Sequence, residues 1–222
     1  MQKILIIEDD EGILNSLELY FKQSEFEVML CDNGLDAMDK FKQFEPDLII
    51  LDINLPGKDG ITIAGEIRET SSTPIIILSA RGREEDKVMA LDLGADDYVS
   101  KPFSPRELLA RVKSVLKRIG VNSSSDTQKY LIFKTIELDI HNFELKVSGN
   151  PIKATKTEFL LLKYMIDNKD EVILREKVMK EIMGYDNYLY DRTIDTHVKN
   201  LRKKLGDSIS IETIRGIGYK IS

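Results

Sequence analysis

The 222-residue sequence contains one cysteine, Cys31. A single thiol excludes an internal disulfide framework and suits a reducing compartment; Cys31 itself reads as a small buried apolar residue. Long apolar runs are also missing, and nothing approaches the ~20 consecutive apolar residues of a membrane span. The opening MQKILIIEDD carries its four apolar residues straight into acids, too short a run and the wrong flank for a secretory signal. The expectation is a cytoplasmic chain without membrane contact. Nor does one charge dominate. The net charge of −6 hides an asymmetry: residues 1–120 hold 15 Lys and Arg against 23 Asp and Glu, residues 121–222 hold 17 against 15. An acidic half followed by a mildly basic one suggests two domains with different partners, the second compatible with nucleic acid.

The first half alternates regularly. Short apolar runs at 3–8, 26–31, 47–52, 74–79 and 97–100 read as strands, and helical spacing follows each, over 10–24, 34–44, 59–70, 83–93 and 104–119. Ser104-Pro105-Arg106-Glu107 opens the last helix with an N-cap, a proline at N1 and a Glu at N3. Strand–helix alternation of this kind gives a parallel sheet with helices on both faces. Functional residues of such sheets gather at the carboxyl ends of the strands. Those ends read Glu8-Asp9-Asp10, Asp52, Ser79-Ala80 and Ser100-Lys101.

Crowded carboxylates repel unless a cation neutralises them. Mg²⁺ takes hard oxygen ligands from one or two carboxylates plus waters and phosphate. Lys101 adds a compact positive charge opposite. A phosphoryl group brought to Asp52 would be bridged by metal and Lys101, with the Ser79 hydroxyl donating to a third oxygen, and an aspartate is a competent nucleophile for phosphoryl transfer.

Four motifs now add a resemblance: EDD at 8–10, D-x-x-L-P-G-x-D-G from Asp52 to Gly60, LSAR at 78–81 and GADDYVSKPF at 94–103. Residues 1–120 resemble the receiver domain of two-component response regulators, a flavodoxin-like, doubly wound, five-stranded parallel sheet. The resemblance implies Asp52 as phosphoacceptor, Asp9 as a direct Mg²⁺ ligand with Glu8 behind it through water, and the Asn54 carbonyl as a further ligand. It implies Lys101 on the phosphoryl group, a cis Lys101–Pro102 bond, and Ser79 with Tyr98 as the switch pair. On phosphorylation Ser79 would move to the new oxygens and Tyr98 would rotate inward. The change would reach a face built from the fourth helix, fifth strand and fifth helix. There Lys87, Asp92, Asp96, Asp97, Glu107, Arg111 and Lys113 match residues that cross-pair in a symmetric active dimer.

Residues 121–129, polar and without apolar period, read as a flexible linker. A second domain over 130–222 opens with strand-like pieces at 130–133, 136–140, 143–147 and 151–152, the last two separated by Ser148-Gly149-Asn150. Thr155-Lys156-Thr157-Glu158 is a capping box before FLLLKYMI, and 175–183 reads as another helix. Asp191 caps the most informative one, DRTIDTHVKNLRKKLG. Ile194, Val198, Leu201 and Leu205 form one apolar stripe, with Arg192, Thr196, Lys199 and Lys203 on the opposite side. A helix of that kind fits a major groove. Runs at 209–214 and 217–221 then flank Arg215-Gly216 as a hairpin with a basic tip, completing an α+β winged helix-turn-helix pattern.

Three runs, T-K-T-E-F-x-L-L at 155–162, R-T-I-D-x-H-V-x-x-L-R-x-K-L at 192–205 and T-I-R-G-x-G-Y at 213–219, resemble the DNA-binding domain of the OmpR/PhoB family. By that resemblance Arg192, Thr193, Thr196, His197, Lys199, Asn200 and Lys203 contact groove and phosphates, Thr213 touches a phosphate and Arg215 enters the minor groove. His197 is equally compatible with packing against its own domain. Tyr185, Tyr188 and Tyr190 suit either core or RNA polymerase contact.

The combined expectation is a regulator phosphorylated on Asp52 by a sensor histidine kinase, dimerising through its receiver and binding double-stranded promoter DNA. An aspartyl-phosphate hydrolase is the rival enzyme. Those enzymes carry a second acid two places after the nucleophile, where this chain has Asn54, which cannot exchange a proton at neutral pH. The chain therefore reads as no enzyme beyond its own phosphorylation and slow dephosphorylation. A receiver that works without phosphate would not need the full set of Asp9, Asp52, Ser79 and Lys101.

Overall fold

The computed structural model describes residues 1–80, 84–120, 129–183 and 193–222; of 84–87, 118–120 and 183 it describes the backbone alone. Two compact units, Met1–Leu116 and Lys117–Ser222, make up the chain. Their boundary falls inside a helix that ends at Gly120, whereas the composition places the domain edge at 120. The expected linker lies outside the described residues, apart from Lys129.

In the first unit five strands, β1 (Lys3–Ile7), β2 (Glu27–Cys31), β3 (Leu48–Asp52), β4 (Ile75–Ser79) and β5 (Asp97–Ser100), form one parallel sheet in the order β2-β1-β3-β4-β5. Helices α1 (Glu11–Gln23), α2 (Ala37–Phe44), α3 (Gly60–Thr70), α4 (Glu84–Asp92) and α5 (Pro105–Gly120) alternate with them. The central strands are apolar throughout because both faces are covered; β3 and β4 are buried at every position. Leu5, Ile7, Ile49, Leu51, Ile75, Ile77 and Tyr98 share one core with Ala37, Phe44, Ile63, Ile67 and Leu91 of α2, α3 and α4. The alternate residues Ile6, Ile50, Ile76, Leu78 and Val99 are also buried, as are Leu14, Leu17 and Phe21 of α1 and Leu108 and Val112 of α5. Strand order reverses between β1 and β3, so the ends of those strands flank a topological switch point.

The spacing predicts a second helix from Gly34, but α2 begins only at Ala37. Asn33 turns its side chain onto the amides of Leu35 (3.0 Å) and Asp36 (3.1 Å), which holds these residues in a turn.

The second unit opens with an antiparallel sheet, β6 (Tyr130–Phe133), β7 (Ile136–Asp139), β8 (Glu144–Val147) and β9 (Asn150–Ile152), in sequence order. Ser148 and Gly149 both have positive φ, 50° and 79°, and join β8 to β9 as a two-residue type I′ turn. Then come α6 (Lys156–Asp167), β10 (Ile173–Leu174), α7 (Arg175–Val178), α8 (Thr193–Leu205), β11 (Ile211–Ile214) and β12 (Gly218–Ile221). The expected helix over 175–183 is α-helical only through Val178 and continues as a π-helical segment over Met179–Met183. The expected capping box is formed: Thr155 Oγ1 accepts from Glu158 N, and Glu158 Oε2 accepts from Thr155 N. Glu158 Oε2 also takes Lys204 Nζ, tying the start of α6 to α8. Strands β10, β12 and β11 form a second antiparallel sheet, in that order. Among the described residues no helix is long and apolar enough to cross a membrane.

Candidate functional site

Glu8 follows β1, Asp52 ends β3 and Lys101 follows β5. Strand alternation puts all three on one parity, because Asp52 pairs in register with Leu78, and Leu78 with Val99 two residues before Lys101. Lys101 Nζ donates to Asp52 Oδ2 at 2.5 Å and to Glu8 Oε1 at 2.8 Å. It also lies 2.6 Å from the buried Glu8 Oε2, so both oxygens of that carboxylate face the same ammonium. Asp52 Oδ1 accepts from the Asn54 amide at 3.1 Å. Lys101 N donates to the Ser79 carbonyl at 2.8 Å, binding the ends of β4 and β5 together. The Lys101–Pro102 peptide is cis, as the resemblance implies.

Glu8 and Asp52 are buried while Asp9 is open to solvent. Burial pushes the Glu8 carboxyl up to about 7; the hydrogen bond from Lys101 opposes the shift and the Asp52 charge adds to it. Burial also pulls on Lys101 in the downward direction, but hydrogen bonds to Asp52 and Glu8 outweigh it and hold the ammonium above its ordinary value. Each of Glu8, Asp9 and Asp52 offers an oxygen within 4.8 Å of the others'. That all-oxygen set of three carboxylates, served by one lysine, fits a hard divalent cation. Asn54 is exposed in the loop after β3.

Ser79 is fully buried, and Tyr98 is 6% exposed. Both have the same strand parity, since Tyr98 pairs with Ile77. Tyr98 packs into the core under α3 and α4 in this structure. Beside the pocket, a groove of about 570 Å³ runs between α1 and the segment after β5, lined by Asp10, Gly12, Ile13, Ser16, Leu17, Lys101, Pro102, Phe103 and Pro105.

The residues assigned to a dimer face divide. Asp92 and Lys113 are exposed and Glu107 is half-buried. Arg111 is buried and paired within the chain, to Asp97 at 3.2 Å and Glu107 at 3.0 Å. Asp96 leaves the set. It is fully buried and points to the other side of β5, where its carboxylate accepts from Arg68 of α3 (2.9 Å) and the Ile75 amide (3.1 Å). The Lys87 side chain lies outside the described residues. Arg68 was not singled out in the sequence; it also binds the carbonyls of Gly94 (2.8 Å) and Thr73 (2.6 Å).

In α8 the apolar stripe of Ile194, Val198, Leu201 and Leu205 is buried as the spacing predicts. The burial extends beyond it. Thr193, Thr196, His197 and Asn200, all assigned to DNA, are buried as well, whereas Lys199 and Lys203 are exposed. At about 100° per residue, the buried arc widens from the stripe on the side of His197, Asn200 and Thr196. The exposed arc carries Arg202, Lys199 and Lys203. Arg202 donates to the Ile211 carbonyl (2.7 Å) and Thr213 Oγ1 (2.8 Å), joining α8 to the start of the β11–β12 hairpin. Thr213 and Arg215 are exposed. Asp195 accepts from Arg175 and from the hydroxyl of buried Tyr219, which burial and then this bond hold well above the usual phenol range. Arg192, Tyr185, Tyr188 and Tyr190 lie outside the described residues.

Residues 4–113 match the response regulator receiver domain family, and residues 149–221 match the family described as transcriptional regulatory protein, C terminal. The chain is 40% identical over 222 residues to the uncharacterized transcriptional regulatory protein YclJ of Bacillus subtilis, covering 98% of each chain. It is 37% identical over 227 residues to the transcriptional regulatory protein ResD of the same organism, covering 98% of this chain and 95% of that one. Among solved structures it resembles response regulator DrrB of Thermotoga maritima, an OmpR/PhoB homolog, with 31% identity, a TM-score of 0.54, and coverage of 100% and 99%. A strand-end pocket of three carboxylates and a lysine, joined to a helix-and-hairpin domain, thus places this chain among the two-component response regulators of the OmpR/PhoB family, with a receiver domain, a DNA-binding domain and a role in transcription regulation.

Proposed function

We propose that Asp52 accepts a phosphoryl group from a sensor histidine kinase and that the phosphorylated chain binds promoter DNA as a dimer. The observation that carries this reading is Lys101 Nζ, held 2.5 Å from Asp52 and 2.8 Å from Glu8. An Asp52 carboxylate oxygen attacks phosphorus, and the bond from phosphorus to the donor's nitrogen breaks with its electron pair. Lys101 moves with its charge onto the transferred group, and the Asn54 amide keeps the other carboxylate oxygen in place. Asp9, Asp52, the Asn54 carbonyl and Glu8 would hold Mg²⁺, which when bound would supply neutralising charge to the phosphoryl oxygens. The groove between α1 and the segment after β5 adjoins Lys101 and gives a phosphodonor protein an apolar surface to rest on.

Ser79 reads the new oxygens, and buried Tyr98 on the same face fixes the arrangement behind it. Asp92, Glu107, Lys113 and the Asp97–Arg111 pair form the dimer face, with Lys87. Joining two DNA modules through one receiver dimer raises their effective concentration over adjacent half-sites. Lys199 and Lys203 of α8, with Thr213 and Arg215 of the hairpin, are the exposed contacts to DNA. The chain works in the cytoplasm, and contact with RNA polymerase falls to Tyr185, Tyr188 and Tyr190. It is an acceptor rather than a turnover catalyst, because Asn54 offers no proton exchange two places after Asp52.

Acetyl phosphate with Mg²⁺ is expected to convert wild type to a dimer in sedimentation and to leave Asp52→Ala monomeric. A wild type that carries stoichiometric phosphate and stays monomeric would overturn the dimer reading. Multiple turnover of a generic phosphate ester would favour the hydrolase instead.

A further inference from the structure

The loop after β3 is held from two sides by glycines. On the inner side, Gly60 N donates to the Ile53 carbonyl at 2.9 Å, and a Cβ on Gly60 would stand 2.0 Å from the Asp52 carbonyl oxygen. On the outer side it meets the loop between β2 and α2. Gly34 N donates to the Pro56 carbonyl at 3.0 Å, and a Cβ there would stand 1.9 Å from the Lys58 oxygen and 2.7 Å from its carbonyl carbon. Both collisions are with backbone, so no side-chain end can swing aside. The Leu35 side chain closes over Gly57 (φ 80°), where a Cβ would come within 2.7 Å of Leu35 Cγ.

The outer loop is itself built to keep its shape. Asn33 accepts from the amides of Leu35 and Asp36 and donates to the Asp36 carboxylate at 2.8 Å. The Cys31 thiol donates to the Asn33 carbonyl at 3.1 Å. Between the two glycines lies Asn54, whose amide holds Asp52 Oδ1. The loop that carries Asn54 thus packs at Pro56 and Lys58 against the β2–α2 turn, which supplies none of the three clustered carboxylates.

We propose that Gly34 is a positioning residue for metal binding and phosphoryl acceptance. It fixes the loop after β3, and so the Asn54 amide and carbonyl, at the distance from Asp52 that the site requires. The inference rests on the reading of Asp52 as acceptor with the Asn54 carbonyl as a metal ligand. Its physical content is close backbone approach, which only glycine permits at this point. Adding one methyl group pushes the loop outward while the sheet under it stays packed.

The test uses the full-length chain and Mg²⁺ alone, titrated calorimetrically, followed by the rate of phosphoryl uptake from acetyl phosphate. Gly34→Ala is compared with Gly65→Ala, a helix position where a Cβ meets nothing within 4 Å. Gly34→Ala is expected to weaken Mg²⁺ about tenfold, the scale on which supporting groups tune a metal site, and to slow uptake. Gly65→Ala should match wild type in both. Should Gly34→Ala fail to fold, Asn33→Ala loosens the same loop without adding bulk and is expected to weaken Mg²⁺ as well. A folded Gly34→Ala, or failing that Asn33→Ala, that binds Mg²⁺ as tightly as Gly65→Ala overturns the inference. A wild type that binds no Mg²⁺ overturns the underlying site reading instead, and the two failures are distinct.

Discussion

Lys101 neutralises two carboxylates at once, each from a different strand end. Without it, Glu8, Asp9 and Asp52 face one another with no cationic partner among the described residues. Lys101→Ala is expected to lower receiver stability by about 1–3 kcal/mol in metal-free buffer, the cost of leaving buried polar groups unpaired. Added Mg²⁺ should then stabilise the variant more than wild type, read as a larger shift of the urea midpoint. Equal shifts would show that lysine and metal do not share the same carboxylates. At this scale the pocket was legible, because apolar runs that stop in Glu8, Asp52 and Ser100-Lys101 mark the one sheet edge where side chains escape the core. Asp96 was not. Two adjacent acids look alike in a sequence, and only the position of α3 reveals that Asp96 turns to Arg68 while Asp97 turns to Arg111. Thr196 and Asn200 escaped for a related reason, since a small polar residue is compatible with either side of a helix.

Helix α3 starts where the loop after β3 ends, so its first turn bears on the pocket's geometry. Asp59 caps it, accepting from the Thr62 amide at 2.9 Å and the Thr62 hydroxyl at 2.7 Å. These bonds lower the Asp59 pKa from its ordinary 3.8. A depressed carboxyl contributes stability that is present above the ordinary value and is lost as pH falls through the folded one. Asp59→Ala should therefore cost about 1 kcal/mol at neutral pH. The gap between variant and wild type should close as pH drops through the region below 3.8, which denaturant titrations across that range would show. Helix starts were legible where a cap and a hydrophobic period coincide, as at Ser104 and Thr155. The start of α2 was not, because Gly34 and Leu35 fit a helical period but are held by Asn33 and Pro56, partners that periodicity does not contain.

For the whole chain, the two halves differ in the sign of their charge, and so should their partners. DNA affinity is expected to fall steeply and linearly on a log–log plot against salt, with a slope of roughly −0.9 per phosphate neutralised. Lys203→Ala should reduce the magnitude of that slope by about one, whatever the DNA sequence. A salt response unchanged by Lys203→Ala removes that residue from the interface. The parallel, doubly wound character of the sheet was legible, since strand–helix alternation over the first half admits few topologies. The π-helical turn at Met179–Met183 was not, because its apolar pattern suits an ordinary helix equally well.

Strand β5 is moored from both sides. Neighbouring residues project to opposite faces, and here the neighbours are acids gripped by arginines of opposite layers, Asp96 by α3 and Asp97 by α5. Rolling the strand about its long axis would slacken one mooring and stretch the other. Sliding along that axis would strain both together. Both motions are therefore opposed at the Asp96–Asp97 end, and the strand stands like a rod clamped at the end remote from Lys101.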